Sequence, residues 1–297
     1  MTDAPALAPC PTCESLRSAE AFHKAGYAYR RCPDCACLFV AGDLNAAAVY
    51  SHYSEAYYES DESSSEERQG YPSYWAARES FEKSFATRVE IVRRYVQGGS
   101  LFEAGAAYGF FLKAAEPYFE VAGLEVSAYA AEVARRETRV AVEHGSIERT
   151  DFPDRRFDVV VMWDVIEHLM RPLDALREVR RLLKPGGYLF VSTDDASHWL
   201  PRRLGLRWWG LAPPLHLCHF SKDALRAACR IAGLEPPVFL ADPRYYTVPE
   251  IITHFGESYQ SGVLKAVGSW FDRTWLGRRP MRVSRPEQFV AVIRSPA

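Results

Sequence analysis

The sequence predicts an α/β protein with a mostly parallel sheet and helices on both faces, preceded by a small zinc-binding module. Two observations support this prediction. Between residues 100 and 241, short apolar runs alternate with helical stretches across short links, which is typical of βαβ units. In addition, two Cys-x-x-Cys pairs lie within the first 35 residues, and this arrangement favours a bound metal over disulfides.

The composition is that of an ordinary globular chain. Its 297 residues suffice for one full α/β domain with a small accessory unit, and 48% apolar with 25% charged residues argues against overall disorder. A formal charge of −2 gives no global positive field to collect nucleic acid or acidic membranes. The sequence contains neither a signal-peptide pattern nor a membrane-span pattern, so we expect a cytoplasmic protein. It gives no indication of the oligomeric state.

Three units are expected along the chain. Residues 1–42 form a zinc-ribbon-like module, residues 43–74 a linker or lid, and residues 75–297 the main domain. The middle unit is rich in Tyr, Ser and Glu and includes the run SDESSSEERQGYP, whose low hydrophobicity is typical of a solvated segment.

The main domain is expected to begin with a helix between Tyr74 and Val96, because apolar residues recur there at three- and four-residue spacing. Strands are then predicted near 100–104, 119–125, 140–143, 157–163 and 188–193. Helices are predicted at 108–116, 128–137, 172–183 and 221–232. An apolar run at 236–241, an edge strand at 287–294 and a helical insertion at about 248–276 complete the pattern, with aromatic residues of the insertion packed over the sheet end.

The first strand of this alternation runs into a glycine-containing loop directly before a helix. Gly105 and Gly109 suit a sharp turn that a ligand approaches closely, although Ala107 stands where a G-x-G pattern has its second glycine. About 20 residues further on, the next strand ends at Glu125, where a carboxylate accepts hydrogen bonds from two ribose hydroxyls. The pair of features predicts an adenosine-type ligand.

Two ligands of this type compete, a nicotinamide dinucleotide and a nucleoside with an amino-acid tail. Glu103 lies at the end of the first strand, beside the loop. A carboxylate there would repel a pyrophosphate, whereas it suits the ammonium and sulfonium groups of S-adenosylmethionine. Electrostatics therefore favours the methyl donor.

From about residue 75 to 245 the sequence resembles the class I S-adenosylmethionine-dependent methyltransferases. The run HGSIERTDFPDRRFDVVVMWDVIEHLMRPLDALREVRRLLKPGGYLFVST is similar to that family's passage from the adenine-contacting loop to the fifth strand. The resemblance implies a Rossmann-like seven-stranded sheet. It also implies a cofactor site composed of Glu103, Gly105, Ala106, Ala107, Gly109, Glu125, Val126, Ser146, Ile147, Trp163 and Asp164.

Four residues are candidates for the reaction itself. Glu167 and His168 follow the strand 157–163, at whose carboxyl end ligands bind in open sheets. Imidazole is the best side-chain base near neutral pH, so His168 is the first candidate base, with Glu167 orienting it or binding the acceptor. His216 and His219 lie in PLHLCHFS, which resembles a segment of bacterial relatives acting on quinone precursors and glycans. A purely structural role is the alternative for each of them.

A metal is a further alternative at this site. Asp164, Glu167, His168 and His216 offer the mixed carboxylate and imidazole ligands that suit Mg or Mn holding an acceptor diol. This set is similar to that of small-RNA 2′-O-methyltransferases, which implies an RNA acceptor. An alternative of another class is a zinc-containing nucleic-acid-binding protein without catalysis.

The N-terminal cysteines predict a structural zinc site. Cys10, Cys13, Cys32 and Cys35 form two pairs separated by 18 residues, a zinc-ribbon spacing, and four thiolates leave no open coordination position. A redox pair or an iron–sulfur site is the alternative. No dense basic stripe lies between the pairs, so nucleic acid is not the expected partner.

The acceptor is expected to be a small molecule. A zinc module ahead of this core resembles bacterial sugar C-methyltransferases and related tailoring enzymes, which implies a sugar nucleotide, glycan or natural-product intermediate and leaves O- and C-methylation open. The Trp- and Arg-rich loop 199–214 is interpreted as an acceptor-side lid, with lipid contact or simple packing as alternatives.

Overall fold

The computed structural model describes residues 9–42, 44–59, 74–252 and 279–297, with isolated positions between 263 and 277. The N-terminal unit is a small antiparallel sheet of β1 (Ala19–Lys24), β2 (Tyr27–Arg31) and β3 (Leu38–Ala41). A distant strand of the main domain, β9 (Cys218–His219), pairs with β3 and completes this sheet in the order β1-β2-β3-β9.

Three helices follow the N-terminal unit. Two short ones, α1 (Ala46–Ser51) and α2 (Glu55–Glu59), occupy part of the segment predicted as linker or lid, and α1 begins where the Asn45 side chain accepts from two backbone N–H groups. The run at 60–73 lies outside the described residues. The long helix α3 (Arg78–Arg93) matches the helix predicted from apolar spacing.

The main domain is built on a seven-stranded sheet. Its strands are β4 (Ser100–Ala104), β5 (Glu120–Glu125), β6 (Val142–His144), β7 (Phe157–Trp163), β8 (Leu183–Asp194), β10 (Val238–Tyr246) and β11 (Met281–Arg294). They lie in the order β10-β11-β8-β7-β4-β5-β6. The strands from β6 to β8 are parallel, whereas β11 and β10 are antiparallel at one edge. The predicted fold class is confirmed.

The helices between the strands are α4 (Phe110–Ala115), α5 (Ala128–Glu137), α6 (Pro172–Leu182), α7 (Trp199–Leu204) and α8 (Lys222–Ala232). Serine hydroxyls cap α5 and α8, since Ser127 accepts from Ala130 N and Ser221 accepts from Ala224 N. None of the helices that the structure describes combines the length and the apolar composition that crossing a bilayer requires.

The sheet divides the core into two layers. Successive side chains of a strand point to opposite faces, so Leu101 and Phe102 belong to different apolar clusters. The cluster containing Phe102 also includes buried cysteines of the N-terminal module, and Ser221 Oγ donates to the Cys35 carbonyl at 2.8 Å. The module therefore packs against the main domain and shares its core, which explains how a segment too small for its own core is held.

Some sequence-based boundaries were wrong. The GlyGly segment before residue 188 belongs to β8. The predicted edge strand 287–294 is the second half of the longer β11, and it is not at the edge, because β11 lies between β8 and β10. In the predicted helical insertion, Trp270 and Trp275 are 63% and 73% exposed, so they do not pack over the sheet end. Phe255, the first aromatic residue assigned to that insertion, lies outside the described residues.

Candidate active site

A cavity of about 780 Å³ opens at the carboxyl edge of the parallel strands. It is bounded by the loops that follow β4, β5 and β7, by the segment carrying α1 and α2, and by the loop between α7 and β9. All parallel strands end at this edge, so residues distant in the sequence converge here.

The loop after β4 turns sharply toward the cavity. Gly105 and Gly109 have φ angles of +76° and +74°, and a Cβ on Gly105 would lie 2.4 Å from Val165 Cγ2. The N–H groups of Gly105 and Ala106 donate to the Leu124 carbonyl, which joins the loop to β5. The expected requirement for glycine at positions 105 and 109 thus has a steric and a conformational cause.

Ala107 also adopts a left-handed conformation, with φ of +45°. This region is unfavourable for a residue with a Cβ, so the alanine that replaces the usual glycine holds a strained backbone. Its N–H donates to Glu125 Oε2 at 2.8 Å, and this hydrogen bond helps to fix the conformation.

Glu103 is the last but one residue of β4 and is 2% exposed. Its Oε2 atom is buried and has no hydrogen-bond partner among the residues that the structure describes. Burial raises the pKa of the Glu103 carboxyl well above its ordinary value, against the opposing attraction of Arg88. A buried carboxylate oxygen without a partner is costly unless a ligand donates to it.

Glu125 ends β5 and is also buried. Its Oε1 accepts from Ser127 N at 2.9 Å, and Tyr58 OH lies 3.4 Å from the same oxygen. Burial raises the pKa of Glu125, and the backbone hydrogen bonds from Ser127 and Ala107 oppose that rise. The next residue, Val126, lines the cavity, as do Ser146 and Ile147 beyond β6.

A network of charges lies at the end of β7, in which Asp164 is partly exposed and its partners are buried. Asp164 Oδ1 accepts from Arg244 Nη2 at 2.6 Å, and Arg88 Nη2 lies 3.4 Å from its other oxygen. Burial would raise the pKa of Asp164, but the attraction of Arg244 and Arg88 exceeds that effect and lowers it. Both arginines also pair with the buried Asp242 at 2.7 Å. Trp163 lies beside this network, with the Arg88 guanidinium 4.7 Å from its ring.

Three of the four predicted reaction residues come together in the cavity. One ligand atom each of Glu167, His168 and His216 lies within 4.8 Å of the others. The imidazole rings of His168 and His216 pack edge to face at 4.6 Å. Glu167 Oε2 is buried and has no partner among the described residues, while Asp164 is engaged by arginines and does not belong to this group.

The hydrogen bonds of the two histidines fix their tautomers. His168 Nδ1 lies 3.0 Å from the Leu215 carbonyl and 2.8 Å from Tyr53 OH, and His216 Nδ1 lies 2.8 Å from the Gly210 carbonyl. Since a carbonyl oxygen only accepts, we assign the proton of both rings to Nδ1. The lone pairs of the neutral rings are then on Nε2.

Burial determines the charge state of this group. It raises the pKa of Glu167 well above the ordinary value, with repulsion from Asp164 adding to the effect. Burial, with a smaller contribution from His216, lowers the pKa of His168 to about 3, and burial also lowers the pKa of His216. Both imidazoles are therefore neutral near pH 7.

His219 does not line this cavity. It lies on β9 between the rings of Tyr29 and Trp208, at centroid distances of 5.7 and 5.5 Å, and is 3% exposed. Burial lowers the pKa of His219 well below its ordinary value. The His219 ring lies 6.3 Å from that of His216, centroid to centroid, but it is not part of the cavity wall that His168 and His216 share.

The four N-terminal cysteines converge as their spacing predicts. Their sulfur atoms lie within 4.8 Å of one another, with Cys10–Cys35 and Cys13–Cys32 separations of 3.6 and 3.5 Å. Sulfur atoms about 2.3 Å from a tetrahedral zinc would be roughly 3.8 Å apart, whereas a disulfide requires about 2.05 Å. The donor set and its spacing fit zinc.

Sequence reasoning missed several residues of the site. Tyr53, Tyr57 and Tyr58 come from the segment read as linker or lid, and they line the cavity beside His168 and Glu125. The only signal was the tyrosine content of that segment. Arg88 and Arg244 were missed because charged residues in a helix and at a strand end do not reveal from the sequence that they converge on Asp164.

Comparisons with known proteins identify the family. A sequence profile described as a methyltransferase domain matches residues 76–236, more than half of the chain. A probable S-adenosylmethionine-dependent methyltransferase of Mycolicibacterium smegmatis is 36% identical over 108 residues, which cover 36% of this chain and 42% of that protein. A ubiquinone biosynthesis O-methyltransferase of Bordetella avium is 27% identical over 157 residues, covering 48% of this chain and 64% of the relative. The matches thus span less than two thirds of either relative.

A solved structure shows the same fold. A SAM-dependent methyltransferase of Thermotoga maritima, described as a possible histamine N-methyltransferase, superposes with a TM-score of 0.51 at 22% identity, covering 75% of this chain and 94% of the other. At this identity the likeness establishes the fold alone. With the profile match across the strands that bound the cavity, the chain belongs to the class I S-adenosylmethionine-dependent methyltransferases.

Proposed function

We propose that this methyltransferase transfers a methyl group to a small molecule held in the cavity, with a histidine as the proton acceptor. The observation that carries the proposal is the buried carboxylate oxygen of Glu103 beside the glycine loop, which has no hydrogen-bond partner within the described part of the chain. It supplies the acceptor that the methionyl ammonium of S-adenosylmethionine requires, because a cation relieves the cost of a buried carboxylate.

The positions of the loops support the remaining cofactor contacts that we propose. Glu125 lies at the end of β5, where it binds the ribose hydroxyls, and Val126 lies beside it. Ser146 and Ile147 flank the adenine, while Trp163 and Asp164 bound the site at the end of β7. When bound, S-adenosylmethionine supplies an electrophilic methyl group on a sulfonium.

The proton is removed on the acceptor side. The acceptor oxygen or carbon forms a bond to the methyl carbon as the sulfur–carbon bond breaks, and its proton passes to Nε2 of a neutral imidazole. His168 is the proposed base, since Tyr53 and the Leu215 carbonyl hold its other nitrogen. Glu167 binds or orients the acceptor, and His216 is the second candidate base.

The cavity favours an acceptor with an apolar or ring-shaped part. Tyr53 and Tyr57 line one side, and Trp209, Leu211 and Ala212 line the loop after α7. A sugar nucleotide, a glycan or a natural-product intermediate, methylated at oxygen or carbon, fits this lining. The name of the ubiquinone-pathway relative supports a small-molecule acceptor of this kind.

The test is a His168→Ala variant, compared with His52→Ala, which removes an exposed histidine outside the cavity lining. We expect the first variant to bind S-adenosylmethionine and S-adenosylhomocysteine normally in calorimetry but to lose turnover by about 10²-fold or more, the contribution typical of a general base. A turnover within a few-fold of the wild type would exclude His168 as the base.

A second candidate function is supported by the grouping of Glu167, His168 and His216. A carboxylate and two imidazoles within 4.8 Å form a donor set that fits Mn or Mg, and the carboxylate oxygen Oε2 of Glu167 has no partner among the described residues that would compete with a metal. The metal would hold two adjacent acceptor oxygens, as in a terminal ribose of RNA. If this function is correct, chelation abolishes turnover, Mn restores it, and Glu167→Gln abolishes Mn binding measured by paramagnetic resonance.

We also propose that Cys10, Cys13, Cys32 and Cys35 hold a structural zinc ion. The ion would crosslink the two cysteine pairs and thereby hold the N-terminal sheet against β9. Elemental analysis of the purified protein is expected to give about one zinc per chain, a stoichiometry that follows from four thiolate ligands. Loss of the zinc in a Cys32→Ser variant would support the assignment, and purified wild-type protein that contains no zinc would refute it.

A further inference from the structure

The loop after β8 presents an exposed surface that the proposed chemistry does not use. Trp199 and Leu206 are 65% and 51% exposed, although large apolar side chains are usually buried. Arg202, Arg203 and Arg207 lie between and beside them and are exposed as well. We call these five residues the Trp–Arg surface.

Among the residues that the structure describes, no carboxylate compensates the charge of this surface. The three guanidinium groups form no ion pair with any residue in the described part of the chain. The sequence contains no acidic residue between Asp195 and Asp223, so the positive charge is not neutralised within the loop either. By contrast, exposed arginines elsewhere, such as Arg78 and Arg226, pair with carboxylates on their own helices.

The arrangement of side chains within α7 brings charge and apolar surface together. Residues three and four apart share a helix face, so Trp199 lies on the face that carries Arg202 and Arg203. The helix ends at Leu204, and the 3-10 turn that follows exposes Leu206 and Arg207. Tryptophan is suited to a membrane interface, and arginine to the anionic headgroups beside it.

The surface lies at the mouth of the cavity. β8 ends at Asp194 on the carboxyl edge of the sheet, and α7 begins five residues later. Leu200, Trp209 and Leu211 of the same segment line the cavity. One loop therefore carries an inner wall facing the acceptor space and an outer surface facing solvent.

We infer that the Trp–Arg surface docks the enzyme onto the headgroup region of an anionic bilayer. The inference is based on charge complementarity combined with exposed apolar anchors, two signals that together give peripheral binding where each alone is weak. A nucleic acid is less well matched, because its affinity depends on many phosphate contacts, whereas this surface has three cations. The inference is independent of which histidine is the base.

Vesicle sedimentation tests the inference with the full-length protein. Vesicles of phosphatidylcholine alone are compared with vesicles that contain phosphatidylglycerol, at low and at high salt. We expect binding to the anionic vesicles only, weakened by salt. A double variant, Arg202→Glu with Arg203→Glu, should reduce the partition coefficient by about 30-fold or more, since each arginine contributes a factor of about five near an anionic surface.

Matched variants make the result specific. The control is the double variant Arg94→Glu with Arg139→Glu, which changes the net charge by the same amount at two exposed positions. These positions follow α3 and α5 and precede the amino ends of β4 and β6, so they lie at the edge of the sheet opposite the cavity. This control should bind like the wild type, and Trp199→Ser should weaken binding without changing net charge. All variants are checked by thermal unfolding, and their binding of S-adenosylhomocysteine should be unchanged.

Three outcomes would overturn the inference. The first is wild-type protein that ignores anionic vesicles, and the second is a control variant that loses binding as much as the Arg202 and Arg203 variant. The third is salt-dependent binding to single-stranded RNA with no sedimentation on vesicles. If neither the wild type nor any variant bound S-adenosylmethionine or S-adenosylhomocysteine, the proposed function would be contradicted instead, so the two failures are distinguishable.

Discussion

Replacing Glu103 by glutamine should change stability and cofactor binding in opposite directions. The carboxyl group is 2% exposed, and one oxygen has no partner among the described residues. If this oxygen binds the methionyl ammonium, its removal breaks a buried, hydrogen-bonded charge pair, which costs about 2–5 kcal/mol. We therefore expect the dissociation constants for S-adenosylmethionine and S-adenosylhomocysteine to rise by roughly 30-fold or more in calorimetry.

The stability of the ligand-free protein should respond to pH in a defined direction. Burial raises the pKa of Glu103 in the folded state, so the folded chain keeps a proton that the unfolded chain has lost. The contribution of Glu103 to the free energy of unfolding is fully present below the pKa of the unfolded chain, about 4.3. It is lost as pH rises toward the pKa of the folded state, at up to about 1.4 kcal/mol per pH unit. Glu103→Gln removes this loss, so the variant should gain stability relative to wild type as pH rises.

The assay is thermal unfolding of the wild type and of Glu103→Gln across pH 5 to 8, without ligand. Glu120→Gln, at an exposed strand start, is the matched control and should follow the wild type. The pKa values of Glu125 and Glu167 are raised as well. Both residues are present in the wild type and in the variant, so their contributions cancel when the two unfolding curves are compared. A glutamine variant that binds both ligands as tightly as the wild type would refute the role assigned to Glu103.

Three further predictions concern the architecture of the site. Gly105→Ala should destabilise the protein by about 2–5 kcal/mol, because a Cβ would lie 2.4 Å from Val165 Cγ2 on a backbone with positive φ, and adding Val165→Ala should recover the steric part in thermal unfolding. Ala107→Gly should raise the unfolding temperature, with a gain of up to about 1 kcal/mol from relief of the left-handed backbone; an unchanged or lower temperature would contradict the strain. Asp242→Asn should cost about 3–5 kcal/mol in denaturant unfolding, since it leaves Arg88 buried with one fewer opposing charge; a loss below 1 kcal/mol would show that Asp164 alone compensates the arginine.

The local parts of the site could be predicted from the sequence because each has a short-range cause. Gly105 and Gly109 are required by backbone conformation, and the cysteine pairs by the geometry of a tetrahedral metal site. Glu103 and Glu125 follow from their positions at the ends of successive strands. The roles of these residues toward S-adenosylmethionine and zinc remain predictions, of which the Glu103 and Cys32 variants test two.

The long-range parts could not be predicted in this way. The sequence grouped His216 and His219 with His168, but the structure brings only His216 to His168, because β9 pairs with β3 and directs His219 between Tyr29 and Trp208. The involvement of Tyr53 depends likewise on how a segment of weak local signal lies over the cavity.

By itself, the sequence determined the alternation of strands and helices, the turn at the glycine loop and the pairing of the cysteines, since periodicity, backbone conformation and metal geometry act over a few residues. Tertiary structure alone decided that Arg88 and Arg244 hold Asp164, that the N-terminal sheet gains its fourth strand from Cys218–His219, and which side chains enclose the cavity. These arrangements depend on the simultaneous packing of residues far apart in the chain. No local pattern encodes them, because each contact depends on the position of the whole sheet.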